Sequence, residues 1–314
     1  MSRKKIIVVG SSNTDMVVQL RRLPAPGETL LGGRFRMAAG GKGANQAVAA
    51  SRAGGQVGLI ARVGRDDLGD RVLAGLVNEG IDVQAVVRDA SESSGVALIL
   101  VSADGENSIA VSPGANGRLS AAQVLRSKQA FSGASIVLLQ LETPLASVQT
   151  AARLARKAGA RVILNPAPAQ PLPTALLRNV SILTPNESEA ESMTGIRVTT
   201  DASAARAARR LHEQGVETVI ITLGARGAFV SGDSLSERVA GFPAEAIDTT
   251  GAGDVFNGAL AVALAEGLAL RHAVQFANAA AARSVTRRGA QASAPTRSAI
   301  LRLMAPRKRG VVRR

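Results

Sequence analysis

The sequence predicts an α/β protein: a mostly parallel central sheet covered by helices on both faces, with a small β-sheet projecting from it as a lid. Three observations predict it. Short runs of β-branched and aliphatic residues recur along the chain with no polar face, as strands buried on both sides require. Alanine-rich segments of helical period separate them, the alternation that builds a parallel sheet with crossover helices. A further set of apolar runs lies beside turn signals, outside that alternation.

Taken in order, Ile6–Val9 is the first strand. Basic residues precede it, but the apolar run is too short for a secretory signal and polar Ser11–Asp15 follows at once. Asp15–Leu20 and Thr29–Phe35, with Pro26-Gly27 between them, are expected as lid strands, and Gly43–Ala53 as the first helix. Val57–Ala61 and Leu68–Asn78 repeat the strand–helix unit. Gly95–Val101 and Ser108–Ser112, joined through Asp104-Gly105, complete a lid drawn from about 15–35 and 95–112 and expected to be antiparallel. An exposed apolar face on such a sheet calls for a cover, either as a mobile lid or through a dimer contact. Helix Ala121–Ala130, strand Ile136–Leu139, helix Pro144–Ala158 and strands Val162–Leu164 and Ser181–Leu183 follow. Helix Ala202–Gln214 and strand Val219–Leu223 end the alternation, and two consecutive helices, Gly251–Ala265 and Arg271–Thr286, close the fold. With no repeat and no linker, residues 1–314 read as a single catalytic domain.

Composition narrows the chemistry. Of 314 residues 46% are apolar and 20% charged, which excludes a mostly disordered chain. There is no cysteine, so disulfides, thiolate nucleophiles and cysteine-held metals are excluded. The two histidines, His212 and His272, are too few for a multi-histidine metal site and read as structural or surface residues. No apolar run approaches the ~18 residues of a membrane span, and the expected compartment is the cytoplasm. A net charge of +14 raises the question of nucleic acid, and Arg307, Lys308, Arg309, Arg313 and Arg314 crowd a basic tail at 306–314. With no Trp and no Tyr the chain lacks base-stacking platforms. A polyphosphate substrate would also gain from a positive field.

Five segments carry candidate chemistry. In Asp248-Thr249-Thr250-Gly251-Ala252-Gly253-Asp254, small residues before a helix leave first-turn amides open to an anion. Asp254 beside such a site suits a base that deprotonates an attacking hydroxyl, or else an ordinary N-cap. Gly40-Gly41-Lys42-Gly43-Ala44-Asn45-Gln46 fits neither the P-loop nor the dinucleotide fingerprint. Its amides, Lys42 and Asn45 suit a polyol, and a plain strand-to-helix turn fits equally. Asn13 and Asp15, two apart in an extended stretch, share a face and suit a vicinal diol, or an Asx-turn. Asn186 and Glu189, at i and i+3, suit either Mg²⁺ held largely through water and phosphate or a capping box. Thr222-Leu223-Gly224-Ala225-Arg226-Gly227 ends a strand where a ligand could approach the backbone or a hairpin could turn.

In this order the segments closely resemble the ribokinase family of sugar kinases, from about Ile6 to Pro295. The signatures are Gly40 to Ala47 and Asp248 to Asp254, supported by Asn13-Thr14-Asp15 and Asn165-Pro166-Ala167-Pro168. The resemblance implies a ribokinase-like fold, ATP-dependent phosphorylation of D-ribose at its 5-hydroxyl, and a homodimer through the lid. It implies Asn13, Asp15, Gly41, Lys42, Gly43, Asn45 and Glu142 as sugar contacts, Asp254 as base, and the amides of Gly251, Ala252 and Gly253 as anion hole. ATP contacts fall on Asn186, the Thr222–Gly227 segment, Gly253 and Asn278. Asp248, Thr250, Ser284, Arg287, Gly289 and Ser293 match loops that hold an activating K⁺, and Asn186 and Glu189 a motif associated with Mg²⁺. Alternatives are a kinase for 2-deoxyribose or a nucleoside, or a sugar- or nucleic-acid-binding protein without catalysis.

Overall fold

A computed structural model describes residues 5–232 and 234–305. The basic tail at 306–314 lies outside the described residues. Strand β1 (Lys5–Val9) runs through the middle of the large sheet, with Ile6 and Val8 in one helical layer and Ile7 and Val9 in the other. All four are buried, which is why the strand is apolar at successive positions. The chain leaves the sheet as β2 (Asn13–Gln19) and returns antiparallel as β3 (Arg34–Gly40). Helix α1 (Lys42–Arg52), β4 (Gln56–Gly64), α2 (Asp67–Asn78) and β5 (Val86–Asp89) build one edge. Strands β6 (Gly95–Val101) and β7 (Asn107–Ser112) complete the lid.

The alternation resumes with α3 (Ala121–Arg126), β8 (Ala134–Leu139), α4 (Leu145–Lys157), β9 (Arg161–Leu164), α5 (Thr174–Leu177) and β10 (Ile182–Leu183). Then come α6 (Glu187–Thr194), α7 (Asp201–His212) and β11 (Thr218–Thr222). An antiparallel hairpin, β12 (Ala228–Gly232) and β13 (Leu235–Val239), ends the sheet. Helices α8 (Ala252–Ala265), α9 (Leu270–Ser284), α10 (Ala290–Ser293) and α11 (Arg297–Met304) follow. The strand order is β13-β12-β11-β10-β9-β8-β1-β4-β5, parallel from β11 through β5.

The lid departs from expectation in two ways. Its order is β3-β2-β6-β7 and its central pair, β2 with β6, is parallel, so the sheet is mixed. The second lid strand is Arg34–Gly40, not Thr29–Phe35. Gly32, at φ +82°, breaks extension where the apolar run suggested a strand. The expected helix Ala121–Ala130 also splits, with Ser127 ending the first part before a 3₁₀ turn at Lys128–Phe131. Register assigns the lid faces. Asp15 pairs with Ala38 and Ala97, and Ala97 with Val111, so Val111 shares the face of Asp15. Met16, Met37 and Leu98 pair across the opposite face, with Phe35 beside them. Phe35 and Leu98 are 62% and 52% exposed there.

Candidate active site

The site lies where α1 and α8 cross. Gly258 makes that crossing close, since a Cβ there would stand 2.7 Å from Ala49 Cβ, Ala50 N and Gln46 O. One turn earlier on α8 is Asp254, and the close approach brings two α1 amides onto its carboxylate. Asn45 Nδ2 donates to Oδ2 at 2.9 Å and Gln46 Nε2 donates to Oδ1 at 3.0 Å. Asp254 is buried, and burial pushes its pKa up; Lys42 and the two amide bonds pull it down, and Glu142 adds to the rise.

The glycines of the first motif are there for packing. Gly41 sits at φ +86°, and a Cβ would meet Asn13 N and Ser12 Cα at 2.7 Å. At Gly43 it would meet Ser11 N at 2.6 Å. The turn is pressed against Ser11–Asn13, and this closeness lets the Lys42 amide donate to Glu142 Oε2 at 2.9 Å. Ser11 Oγ donates to the same oxygen. Asn13 and Asp15 do share one face of β2. Asn13 Oδ1 accepts from Asn116 Nδ2 at 2.7 Å, which leaves the Asn13 amide nitrogen as its available donor. Burial, Glu142 and Asp254 push Asp15 up to about 6, against the opposing charge of Arg36. Gly40 leaves room for it, because a Cβ there would fall 2.2 Å from Asp15 Oδ1.

Two cavities meet at the start of α8. One, of about 170 Å³, is lined by Lys42, Asn186, Glu189, Gly251, Gly253 and Asp254. The other, of about 450 Å³, is mostly apolar and lined by Gly224, Ala225, Phe242, Pro243, Asn278 and Val285. Thr222, Thr249, Ala252 and Gly253 border both. The α8 N-terminus has no side-chain cap. Ala252 N–H closes a turn onto Thr249 O at 3.2 Å, so of the three expected donors Gly251 and Gly253 are the ones without a backbone acceptor among the described residues. No atom lies within 4 Å of a Cβ built on Gly253; the space in front of it is open.

Other candidates divide. Asn186 and Glu189 form a full capping box, Asn186 Oδ1 accepting from Glu189 N at 2.8 Å and Glu189 Oε2 from Asn186 N at 2.9 Å. Both also line the smaller cavity, so the capping box is compatible with their facing it. Burial raises the Glu189 pKa. No group of three or more acidic or histidine side chains that could hold a metal occurs among the described residues. One carboxylate and one amide facing an open anion site suit Mg²⁺ shared with phosphate and water. Thr222-Leu223-Gly224-Ala225-Arg226-Gly227 does turn a hairpin, with Leu223 N bonded to Gly227 O at 2.8 Å. Leu223 is buried in the core and Arg226 pairs outward with Glu187, so neither side chain lines the large cavity. Asn278 Nδ2 donates to Val239 O at 3.1 Å and Ala240 O at 3.2 Å, which leaves its oxygen as the free hydrogen-bonding atom.

Behind the α8 N-terminus, Asp248 accepts from Thr250 N at 2.9 Å and Gly289 N at 2.8 Å. Burial works against this carboxylate, yet those amides hold its pKa low. Gly251 abuts Ala290, at 2.8 Å from a Cβ built on it. The loops carrying Asp248, Thr250, Ser284, Arg287, Gly289 and Ser293 are thus tied into one unit. His212 ties Val216 O to Ser231 Oγ, both at 2.8 Å, a structural role. Sequence reasoning gave no site role to Asn116, Gln46 or Phe242.

A family model described as pfkB family carbohydrate kinase matches residues 3–297. The chain belongs to this family. It is 46% identical to a ribokinase of Haemophilus influenzae over 96% of this chain and 99% of the relative. A deoxyribokinase of Salmonella typhi is 37% identical over 93% of this chain and 95% of its own length. Among solved structures, Arabidopsis thaliana ribokinase complexed with ribose and ATP superimposes with a TM-score of 0.90 at 33% identity, covering 96% of this chain and 99% of that one.

Proposed function

We propose that this protein transfers the γ-phosphoryl group of ATP to the 5-hydroxyl of D-ribose. The observation that carries the reading is the placement of Asp254. It is a buried carboxylate in the first turn of an uncapped helix, lining a polar pocket that adjoins a large apolar cavity. Asn13, Asp15, Lys42, Asn45 and Glu142 hold the sugar. The Asn13 amide donates to one ring hydroxyl, and Asp15 and the unengaged oxygen of Glu142 accept from others. Asp254 takes the proton of the 5-hydroxyl as its oxygen attacks the γ-phosphorus and the bond to ADP breaks. The Gly251 and Gly253 amides, with a smaller share from Ala252, face the charge on the transferred group. The nucleobase lies in the large cavity against Phe242 and Gly224, with the Asn278 oxygen open to a donor.

Glu189 and Asn186 would hold Mg²⁺ through water and the phosphates, where the ion neutralises phosphate charge. The Asp248, Thr250, Ser284, Arg287, Gly289 and Ser293 loops would hold K⁺ behind the anion hole and order it. The Phe35 and Leu98 face of the lid pairs with that of a second copy to give a homodimer. A cytosolic setting follows from the need for ATP. The basic surplus serves as a field for polyphosphate rather than for nucleic acid.

Relatives named ribokinase support ribose, and the deoxyribokinase relative motivates a second reading, 2-deoxyribose. The test is ADP release from ATP and Mg²⁺ with D-ribose, 2-deoxyribose, fructose and adenosine, with and without K⁺. Turnover favouring ribose and rising with K⁺ is expected. Turnover on another substrate alone would move the substrate assignment while keeping Asp254.

A further inference from the structure

Asp254 is held by a chain of neutral side chains that runs away from the substrate. Gln46 Nε2 donates both to Asp254 Oδ1, at 3.0 Å, and to Asn165 Oδ1, at 3.2 Å. The Gln46 carbonyl oxygen accepts from Gln140 Nε2 at 2.6 Å. Asn165 Nδ2 continues to Thr184 O at 3.2 Å, and Thr184 Oγ1 donates to Asn257 Oδ1 at 2.7 Å. Asn257 Nδ2 then reaches Gly253 O at 2.8 Å, at the anion hole. Gln46 and Gln140 are 0% and 1% exposed, so these bonds are shielded from bulk water.

With Asp254 ionised, the polarity of this chain has one consistent solution. If Gln46 turned its amide over, a carbonyl oxygen would face the carboxylate. Were Gln140 to turn instead, two carbonyl oxygens would face each other. Gln140 Oε1 has no partner and is buried, a costly state for a polar atom. It is packed so closely on Gly10 that a Cβ there would stand 2.0 Å from that oxygen. The fold accepts an orphaned acceptor in order to point a donor at Gln46.

We propose that Gln46 is a positioning residue for Asp254, locked in its donating orientation by Gln140, so that the buried carboxylate stays ionised and aimed at the attacking hydroxyl. This rests on the reading of Asp254 as base. None of the amides accepts a proton near neutral pH, so the proton that Asp254 takes cannot leave along this chain; it leaves on the sugar side. The same chain ends on the Gly253 carbonyl, which fixes base and anion hole relative to each other.

The test is the pH profile of kcat for Gln46→Met and Gln140→Met. Charged groups that also bear on Asp254 are Lys42 on α1, Glu142 after β8, Asp15 on β2 and Glu189 on α6, and all remain in both variants. Losing a donor to a carboxylate raises its pKa, so the acid limb of Gln46→Met moves to higher pH. Its kcat at pH 7 falls about 10- to 100-fold with the ribose KM within about threefold. Gln140→Met moves the limb the same way by less, and it decides the matter alone if Gln46→Met does not fold. An equal loss of kcat at every pH, or an unmoved limb in both folded variants, overturns the proposal. Turnover retained by Asp254→Asn would instead overturn the base reading beneath it.

Discussion

The two cavities that meet at α8 are built by opposite means. Around the smaller one side chains dominate: Lys42 and Asp254 line it, Asn45 bonds Asp254, and the nearby Glu142 carboxylate raises the pKa of both Asp15 and Asp254. The nucleotide end is made of backbone and apolar surface, with Gly224, Gly227, Phe242 and Val285 around a cavity of about 450 Å³. On the proposed function, catalysis and sugar choice reside in a few replaceable groups. On the same reading, nucleotide binding is shared between main chain and the Phe242 and Asn278 side chains.

Substitutions can break or sharpen that contrast. The largest effect belongs to Asp254→Asn, which should lower kcat about 10²- to 10⁴-fold while ribose affinity, by calorimetry, stays within a few-fold. Gly253→Ala is next. A methyl there enters open space at the anion hole, so activity should fall at least about tenfold. Its melting temperature should not drop, since alanine suits a first helical turn. Gly251→Ala adds a stability loss: at φ +73° and against Ala290 it should cost about 1–3 kcal/mol in denaturant titrations.

Asp15→Asn separates stability from binding. Because Asp15 is raised from 3.8 to about 6, its charge penalises the folded state above that range, and the penalty vanishes as pH falls toward 3.8. The variant should thus melt about 2–5 °C higher at pH 7.5 with no gain near pH 4, while its ribose KM rises. In the unaltered protein the ribose KM should rise as pH falls through about 6. The smallest effect is expected at Arg226→Ala, whose guanidinium pairs outward with Glu187; ATP KM should stay within about twofold.

The same contrast explains what the sequence shows of the molecule. The buried strands and main helices are legible because burial on two faces leaves continuous apolar runs, as in Ile6–Val9. The mixed lid was not, since strand direction in β6 depends on a partner, β2, about eighty residues away. Arg34–Gly40 hid as a strand because Arg34 and Arg36 interrupt its apolar residues and none of its side chains is buried. At the site, Asp254, Asn45 and Asp15 stood out by type and spacing. Gln46 and Asn116 did not, because a buried amide looks like any polar residue until its partners, over a hundred positions away in sequence for Asn116 and Asn13, are in place. The nucleotide wall is apolar and glycine-rich, and nothing separates Phe242 from core residues before the fold is known.

The most direct measurement is the proton-coupled phosphorus-31 spectrum of a mixture of the protein, ATP, Mg²⁺, K⁺ and D-ribose. Attack by the 5-hydroxyl places the phosphate on a carbon bearing two protons. A new phosphomonoester signal split into a triplet, growing as ADP appears, is the predicted result. A doublet would put the phosphate on a ring hydroxyl, and free phosphate alone would mean that the cleft hydrolyses ATP; either would contradict the account of Asp254 and the sugar end.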